Sequence, residues 1–392
     1  MPRSSPQGVT VRLTNGTAER DGTELALNKT YTFVRTKSKL VTYKGCTLEV
    51  SGETSSDSVV QYAHPEHSPL LSQLNVHFVL QDQRRVAGDA IKRQTAYHGH
   101  GHHHQPPPQG PRVMICGPGS SGKTTLARTL TALATRMGSQ PLVASVDPGE
   151  GLLSLPGTMS AAVFGTLMDV EEPAGGFGVS STPSSGPSAV PVKLPMVYYF
   201  GREKVSDDVP LWKDLTGKLA SSVRAKLREN EDVRAAGLIL DTPAVDVAKA
   251  DSMKEGVEVL VHAVREFGSK FYLGLSAIRR YVWLLILTAC IVDIITVLGS
   301  EPLAAALQQA LVNDKTALGE PITIVPLDKS DGVANRDKGW MQMTREMAIK
   351  EYFFGDAKRT LSPFTQSVSY DDIAIFRATT DGKTILVPQT HH

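Results

Sequence analysis

Residues 117–124 read Gly-Pro-Gly-Ser-Ser-Gly-Lys-Thr, the spacing of a phosphate-binding loop. Gly117, Gly119 and Gly122 let the backbone turn tightly, so that successive N–H groups converge on an anion. A helix opening directly after the loop adds the positive end of its dipole. In such a loop Lys123 reaches the β- and γ-phosphates and the Thr124 hydroxyl holds Mg²⁺. The competing reading is an ordinary Gly-rich turn; the strand-loop-helix context favours nucleoside triphosphate binding. Two carboxylates close apolar runs in the same region. Asp147 follows Leu142-Val143-Ala144-Ser145-Val146, and Asp241 follows Gly237-Leu238-Ile239-Leu240. Either can hold a metal's water shell or take a proton, and each also reads as a helix-cap or turn aspartate. Further on, Arg336, Lys338, Arg345 and Lys350 surround Trp340. They read either as a lid of arginines over a transferring phosphoryl or as a solvated amphipathic helix.

These groups need a scaffold, and the pattern predicts an α/β one. Val113-Met114-Ile115-Cys116 is a strand leading into the loop, and a helix is expected from Lys123 to about Arg136. Further strands are expected over 142–146, 196–200, 237–241, 292–298 and 322–327, with helices between them. The clearest helix runs from Pro210 to Arg228, with Leu211, Leu215, Leu219, Val223 and Leu227 at steps of four. Alternating strands and helices imply a parallel sheet covered on both faces. Its ligand would lie at the carboxyl ends of the strands, where Asp147 and Asp241 stand.

Upstream, residues 9 to about 82 alternate with a period of two and are punctuated at Asn15-Gly16, Asp21-Gly22 and Ser51-Gly52, which predicts a small β-sandwich. A linker is expected over 88–111, where His98, His100 and His102–His104 precede Pro106–Pro108. The expected division is therefore 1–87 sandwich, 88–111 linker, 112–355 phosphate-loop domain and 356–392 a small β-rich C-terminal part. Gly175–Ser188, rich in Gly, Ser and Pro, reads as a surface loop.

Forty-one basic and forty acidic residues leave a net charge of +1, so no overall field draws the chain to nucleic acid or membrane. Three cysteines, Cys46, Cys116 and Cys290, make neither a disulfide framework nor a zinc cage and point to a reducing compartment. The N-terminal Met1-Pro2-Arg3-Ser4-Ser5-Pro6 lacks the apolar core of a secretory signal. The apolar run Tyr281–Val292 is about a dozen residues, short of the roughly 18–20 that span a bilayer, and Asp293 stops it.

An ordered set of motifs resembles the Clp subunit family of the fungal pre-mRNA cleavage and polyadenylation machinery, within the polynucleotide 5′-hydroxyl kinase-like group. The motifs are Gly22-Thr23-Glu24-Leu25, Thr42-Tyr43-Lys44-Gly45-Cys46-Thr47-Leu48-Glu49 and Leu74-Asn75-Val76-His77-Phe78, then the phosphate loop. Val146-Asp147-Pro148-Gly149-Glu150-Gly151, Leu155-Pro156-Gly157-Thr158, Tyr199-Phe200-Gly201 and Ile349–Gly355 complete it. The resemblance implies a nuclear protein with ATP and Mg²⁺ between a sandwich and a phosphate-loop domain. ATP contacts would come from Lys37, Ser120, Ser121, Gly122, Lys123, Thr124 and Thr125, with Thr124 and Asp241 toward the metal. It also implies docking to a Pcf-type scaffold subunit and other subunits of the 3′-end processing complex, contact with pre-mRNA only through them, and no membrane.

The resemblance divides into a kinase branch and an ATP-bound assembly branch. Asp147 fits the carboxylate that would activate an RNA 5′-hydroxyl. Against that, Val245 stands where the kinase branch carries a Trp that clasps the substrate base, and Met341 where it carries a lid arginine. Base stacking is worth about 1–3 kcal/mol and a charge-stabilising arginine about a thousandfold in rate, so both losses favour ATP that is bound and kept. A GTP-hydrolysing assembly protein is a third reading, but the chain has no Asn-Lys-x-Asp guanine reader. Residues 268–291 have no counterpart in the family pattern and read as an insertion.

Overall fold

The computed structural model describes residues 8–34, 36, 38–54, 59–60, 68–96, 108–171, 177, 195–268, 292–316, 319–330, 333, 336–355, 360–369, 372–374, 376–378 and 384–386. The first region contains six short strands: β1 (Val9–Gly16), β2 (Glu19–Arg20), β3 (Thr23–Glu24), β4 (Thr30–Phe33), β5 (Leu40–Val41) and β6 (Cys46–Ser51). They form two three-stranded antiparallel sheets, ordered β4-β1-β6 and β3-β2-β5. The period-two pattern places Val11 and Leu13 inward, with Leu25, Tyr31 and Phe33, while Arg12 faces out and pairs with Glu49 at 2.6 Å.

The strand pattern expected as far as residue 82 stops earlier. Pro69–Ala96 is a single helix, α1, so 88–96 are its last turns rather than linker. Ser68 Oγ accepts the Leu70 N–H at 3.3 Å beside Pro69, a helix start that both residues favour. The helix was hard to see because its buried stripe mixes Gln73, His77 and Arg84 with Val76, Leu80, Ala87 and Ile91. Phe78, Val79 and Val86 meanwhile lie on exposed positions and blur the helical period. The histidines from His98 to His104 and the prolines Pro106 and Pro107 lie outside the described residues.

The central sheet has seven strands. In chain order they are β7 (Arg112–Cys116), β8 (Leu142–Ser145), β9 (Thr158–Val163), β10 (Met196–Tyr199), β11 (Leu238–Asp241), β12 (Ile294–Leu298) and β13 (Thr323–Leu327). The spatial order is β10-β9-β8-β11-β7-β12-β13. From β8 to β13 the pairs are parallel; β9 and β10 add an antiparallel edge, so the sheet is mixed. β9 was not anticipated: Thr158-Met159-Ser160-Ala161-Ala162-Val163 is buried on both faces and shows no alternation.

Helices cover both faces. Helix α2 (Lys123–Arg136) and α1 lie on one side, where Leu126, Leu130, Val76 and Leu80 meet Val113, Ile115 and Val143. On the other, α3 (Val209–Glu229), α5 (Ala250–Glu266) and α6 (Glu301–Ala310) pack Leu219, Val223, Leu260 and Leu307 against Met114, Cys116, Leu142 and Ala144. The short α4 (Glu231–Ala236) leads into β11, and α7 (Lys338–Phe354) follows the sheet. Alternate residues of one strand thus serve two cores, and burying each large apolar side chain contributes roughly 1.5–3 kcal/mol. The last pair, β14 (Phe376–Ala378) and β15 (Thr384–Leu386), is antiparallel. Most of Gly175–Ser188 and all of Tyr281–Ile291 lie outside the described residues. Among the described residues no helix is long and apolar enough to cross a membrane.

Candidate functional site

The phosphate loop leaves β7 at the carboxyl edge of the sheet. Ser120 (φ 51°) and Gly122 (φ 96°) occupy the left-handed region, and Gly122 is the N-cap of α2. A side chain at Gly122 would be strained there, which explains the glycine directly before the lysine. The Lys123 ammonium folds back over the loop and donates to Pro118 O at 3.1 Å. Neighbouring strand ends brace this edge. Val146 N–H donates to Asp241 O at 3.1 Å, and Val245 N–H donates to Gly117 O at 3.2 Å. The Thr242 hydroxyl donates to Ile115 O at 2.8 Å, and the Trp212 indole N–H donates to Val146 O at 2.9 Å. Because β11 lies between β7 and β8, Asp241 stands between the loop and Asp147.

Two carboxylates meet at Thr124, and Asp147 lies close enough to Glu150 to feel its charge. Its hydroxyl donates to Glu150 Oε2 at 2.8 Å and lies 3.5 Å from Asp241 Oδ2. Asp241 is 1% exposed, and its other oxygen, Oδ1, has no hydrogen-bond partner; neither has the buried Ser121 hydroxyl. Burial, and then the charge of Glu150, hold the Asp241 carboxyl well above its usual range, while Lys123 opposes them. Asp147 is part-buried and its Oδ1 accepts the Gly149 N–H at 2.8 Å, so it is a turn aspartate as well as a cleft residue. Burial first and Glu150 second push it up to about 6. Acids crowded in this way, with a buried oxygen left over, could hold either a proton or a divalent cation. Among the described residues no three His, Cys, Asp or Glu side chains form an ion cage by themselves. Mg²⁺ takes one or two protein groups and fills its octahedron with phosphate oxygens and water, and Thr124 and Asp241 are the groups that could hold it here.

The loop opens into a cleft of about 1080 Å³. One wall belongs to the N-terminal sandwich, through Arg20, Asp21, Thr36, Ser38 and Lys39; Lys37 itself lies outside the described residues. This wall is fastened to α2. The Asp21-Gly22 turn (φ 47° and 83°) rests on the helix so closely that a Cβ at Gly22 would lie 3.0 Å from Thr129 O. Arg128 approaches Asp21 at 3.8 Å, and Arg136 reaches Glu19 at 3.3 Å and Glu24 at 2.8 Å.

Of the four basic residues around Trp340, Arg336 and Arg345 line the cleft, whereas Lys338 and Lys350 are exposed on α7. Arg336 stacks 4.8 Å above the Trp340 ring and lies 3.6 Å from Glu150. Arg345 donates to Gly149 O at 2.9 Å and pairs with Glu203 at 2.7 Å. Val245, 3% exposed, packs onto α5 at Gly256, where a Cβ would meet its Cγ1 at 2.6 Å. Sequence reasoning missed Glu150 and the Arg20–Asp21–Arg128 group. For Glu150 the signal was its place in Asp147-Pro148-Gly149-Glu150, a turn returning toward the loop.

Residues 117–280 match the family described as mRNA cleavage and polyadenylation factor CLP1 P-loop, and residues 2–87 match the N-terminal beta-sandwich domain of polyadenylation factor. The mRNA cleavage and polyadenylation factor CLP1 of Chaetomium globosum is 63% identical over 369 residues, covering 94% of this chain and 71% of the relative. The chain belongs to the CLP1 family of mRNA cleavage and polyadenylation factors. Its CLP1-family relative from Neurospora crassa is 52% identical over 387 residues, covering 96% of this chain and 73% of the relative. Among solved structures, a wild-type Clp1p–Pcf11p complex superposes with a TM-score of 0.72 at 25% identity, covering 96% of this chain and 75% of that one. A second, describing an extended interface between Pcf11p and Clp1p and the basis of ATP loss in a point mutant, gives 0.74 at 25% identity, covering 100% and 80%. The CLP1 fold therefore accounts for both the sandwich and the phosphate-loop domain.

Proposed function

We propose that this chain is the ATP-binding, non-catalytic subunit of a nuclear pre-mRNA 3′-end cleavage and polyadenylation complex. It supports endonucleolytic cleavage by assembling the complex and does not cut RNA itself. Lys123, Thr124 and the loop amides of Ser120, Ser121, Gly122 and Thr125 hold the triphosphate, Thr124 and Asp241 face its Mg²⁺, and Lys37 contacts the nucleotide from the sandwich side. Bound Mg²⁺ neutralises the β- and γ-phosphates. The observation that carries this reading is the cleft itself, with the sandwich as one wall and the phosphate loop as the other. A ligand there ties two domains together. At about a thousand times its dissociation constant it adds about 4 kcal/mol to the folded state. One fixed domain orientation then presents a docking surface for a Pcf11-type scaffold protein, the partner in the two solved complexes.

The two arginines that could assist turnover are otherwise engaged: Arg345 with Gly149 O and Glu203, Arg336 with Glu150 and Trp340. Val245, where a base-clasping aromatic would stand, is packed against Gly256. The polynucleotide 5′-hydroxyl kinase reading keeps one observation in its favour: Asp147 lines the cleft at the carboxyl edge of the sheet, where a general base would stand. An RNA with a free 5′-hydroxyl, radiolabelled ATP and Mg²⁺ decide between them. The assembly reading expects no transfer; robust transfer abolished by Lys123→Ala establishes the kinase.

A further inference from the structure

Glu150 lies in the Asp147-Pro148-Gly149-Glu150 stretch, where only Asp147 was given a role, yet it touches both Thr124 and Arg336. Its Oε2 accepts from Thr124 Oγ1 at 2.8 Å, and its Oε1 lies 3.6 Å from Arg336 Nη1. Arg336 also donates its backbone N–H to Ser120 Oγ at 3.4 Å. A hydroxyl ligates a metal through an oxygen lone pair, so its proton must point elsewhere. Whichever acceptor takes that proton sets the direction of the lone pairs. Two carboxylates are within reach, Glu150 at 2.8 Å and Asp241 at 3.5 Å, and only the first is at a good hydrogen-bond distance. Asp241 Oδ1, buried and without a partner, is left for the cation or one of its waters.

We propose that Glu150 is the positioning residue for the nucleotide's divalent cation and the counter-charge that holds Arg336 away from the γ-phosphate. The inference rests on the nucleotide reading above. Its geometric part is that Glu150 takes the Thr124 proton and turns the hydroxyl oxygen toward the metal. Its electrostatic part is that an arginine already paired with a carboxylate stabilises charge on a transferring phosphoryl less well. Both parts act toward ATP that is held and not spent.

The test uses the full chain, titrated calorimetrically with ATP in EDTA and with ATP plus Mg²⁺, as wild type, Glu150→Ala and Glu150→Gln. Electron paramagnetic resonance of Mn²⁺ with ATP counts bound metal in each. Wild type binds ATP more tightly with Mg²⁺ than in EDTA. Glu150→Ala loses about ten- to a hundredfold of the Mg²⁺-dependent gain and its bound-Mn²⁺ signal, while its affinity in EDTA holds or rises, because Arg336 is released and a negative charge is gone. Glu150→Gln keeps an acceptor oxygen, retains the metal signal and frees Arg336, so hydrolysis of bound ATP by water to ADP and phosphate becomes measurable above the wild-type background. Equal losses in EDTA and Mg²⁺, or no loss in either, overturn the positioning role; unchanged turnover in Glu150→Gln overturns the counter-charge role. A wild type that binds no ATP in either buffer overturns the nucleotide reading itself, an outcome distinct from variants that match a competent wild type. Melting curves without nucleotide separate misfolding of Glu150→Ala from metal loss, and Glu150→Gln carries the test if that variant does not fold.

Discussion

The two edges of the central sheet each carry a carboxyl group held above its usual range, and they differ in what surrounds it. At the carboxyl edge, Asp241 is buried beside Thr124 with one oxygen unpartnered. At the amino edge, part-buried Asp293 accepts the Arg112 N–H at 3.0 Å and donates its own N–H to Arg112 O at 2.9 Å. Burial raises both, Asp293 to about 6. A raised carboxyl alone therefore does not mark a site. The accounting of partners does: the amino edge closes on itself, whereas the carboxyl edge leaves polar atoms for a ligand.

The largest expected effect is at the open edge. Lys123→Ala removes the phosphate contact, so Mg²⁺·ATP, which stabilises wild type by up to about 4 kcal/mol, no longer raises the melting temperature. Next comes Asp241→Asn, which removes the open carboxylate at constant size. The Mg²⁺-dependent gain in ATP affinity falls about ten- to a hundredfold, by calorimetry, and nucleotide-free stability holds or rises because a buried carboxylate with one oxygen unpartnered is gone. A drop in nucleotide-free stability would mean that the Asp241 carboxylate is already satisfied within the protein and is not left open for a cation.

The closed edge gives smaller effects, and they appear in stability without any nucleotide. Asp293 has a folded pKa above its unfolded value of 3.8, so the folded state binds the extra proton and stability is lost as pH rises from about 4 through about 6. Asp293→Asn keeps the acceptor for Arg112 N–H and removes that loss. Denaturant unfolding should show a gain of about 1–3 kcal/mol at pH 7 and none at pH 4. Smallest of all is replacement of 269–291 by a short Gly-Ser linker. Arg112 holds both flanks, through Phe267 O at 3.1 Å on one side and Asp293 on the other. Stability should change by about 0.5 kcal/mol or less. A large loss would mean that the amino edge depends on residues beyond these contacts.

The site was legible where function is written in local spacing. The phosphate loop, Lys123 and Thr124 follow from one motif, and Asp147 and Asp241 from their places at strand ends. The helix Val209–Glu229 followed from leucine and valine at steps of four. What escaped depends on through-space contacts. Glu150 has no periodic signature, and only the return of its turn toward Thr124 gives it a role. Helix α1 escaped because Gln73, His77 and Arg84 occupy inward positions, and β9 because a strand buried on both faces has no alternation to read.

The most direct measurement is mass analysis of the nucleotide that accompanies the chain through native purification with none added. An intact triphosphate at about one per chain, still ATP after incubation with Mg²⁺ and 5′-hydroxyl RNA, is the predicted result. An empty protein whose melting temperature ignores ATP, or one whose ATP is consumed as RNA ends become phosphorylated, contradicts it.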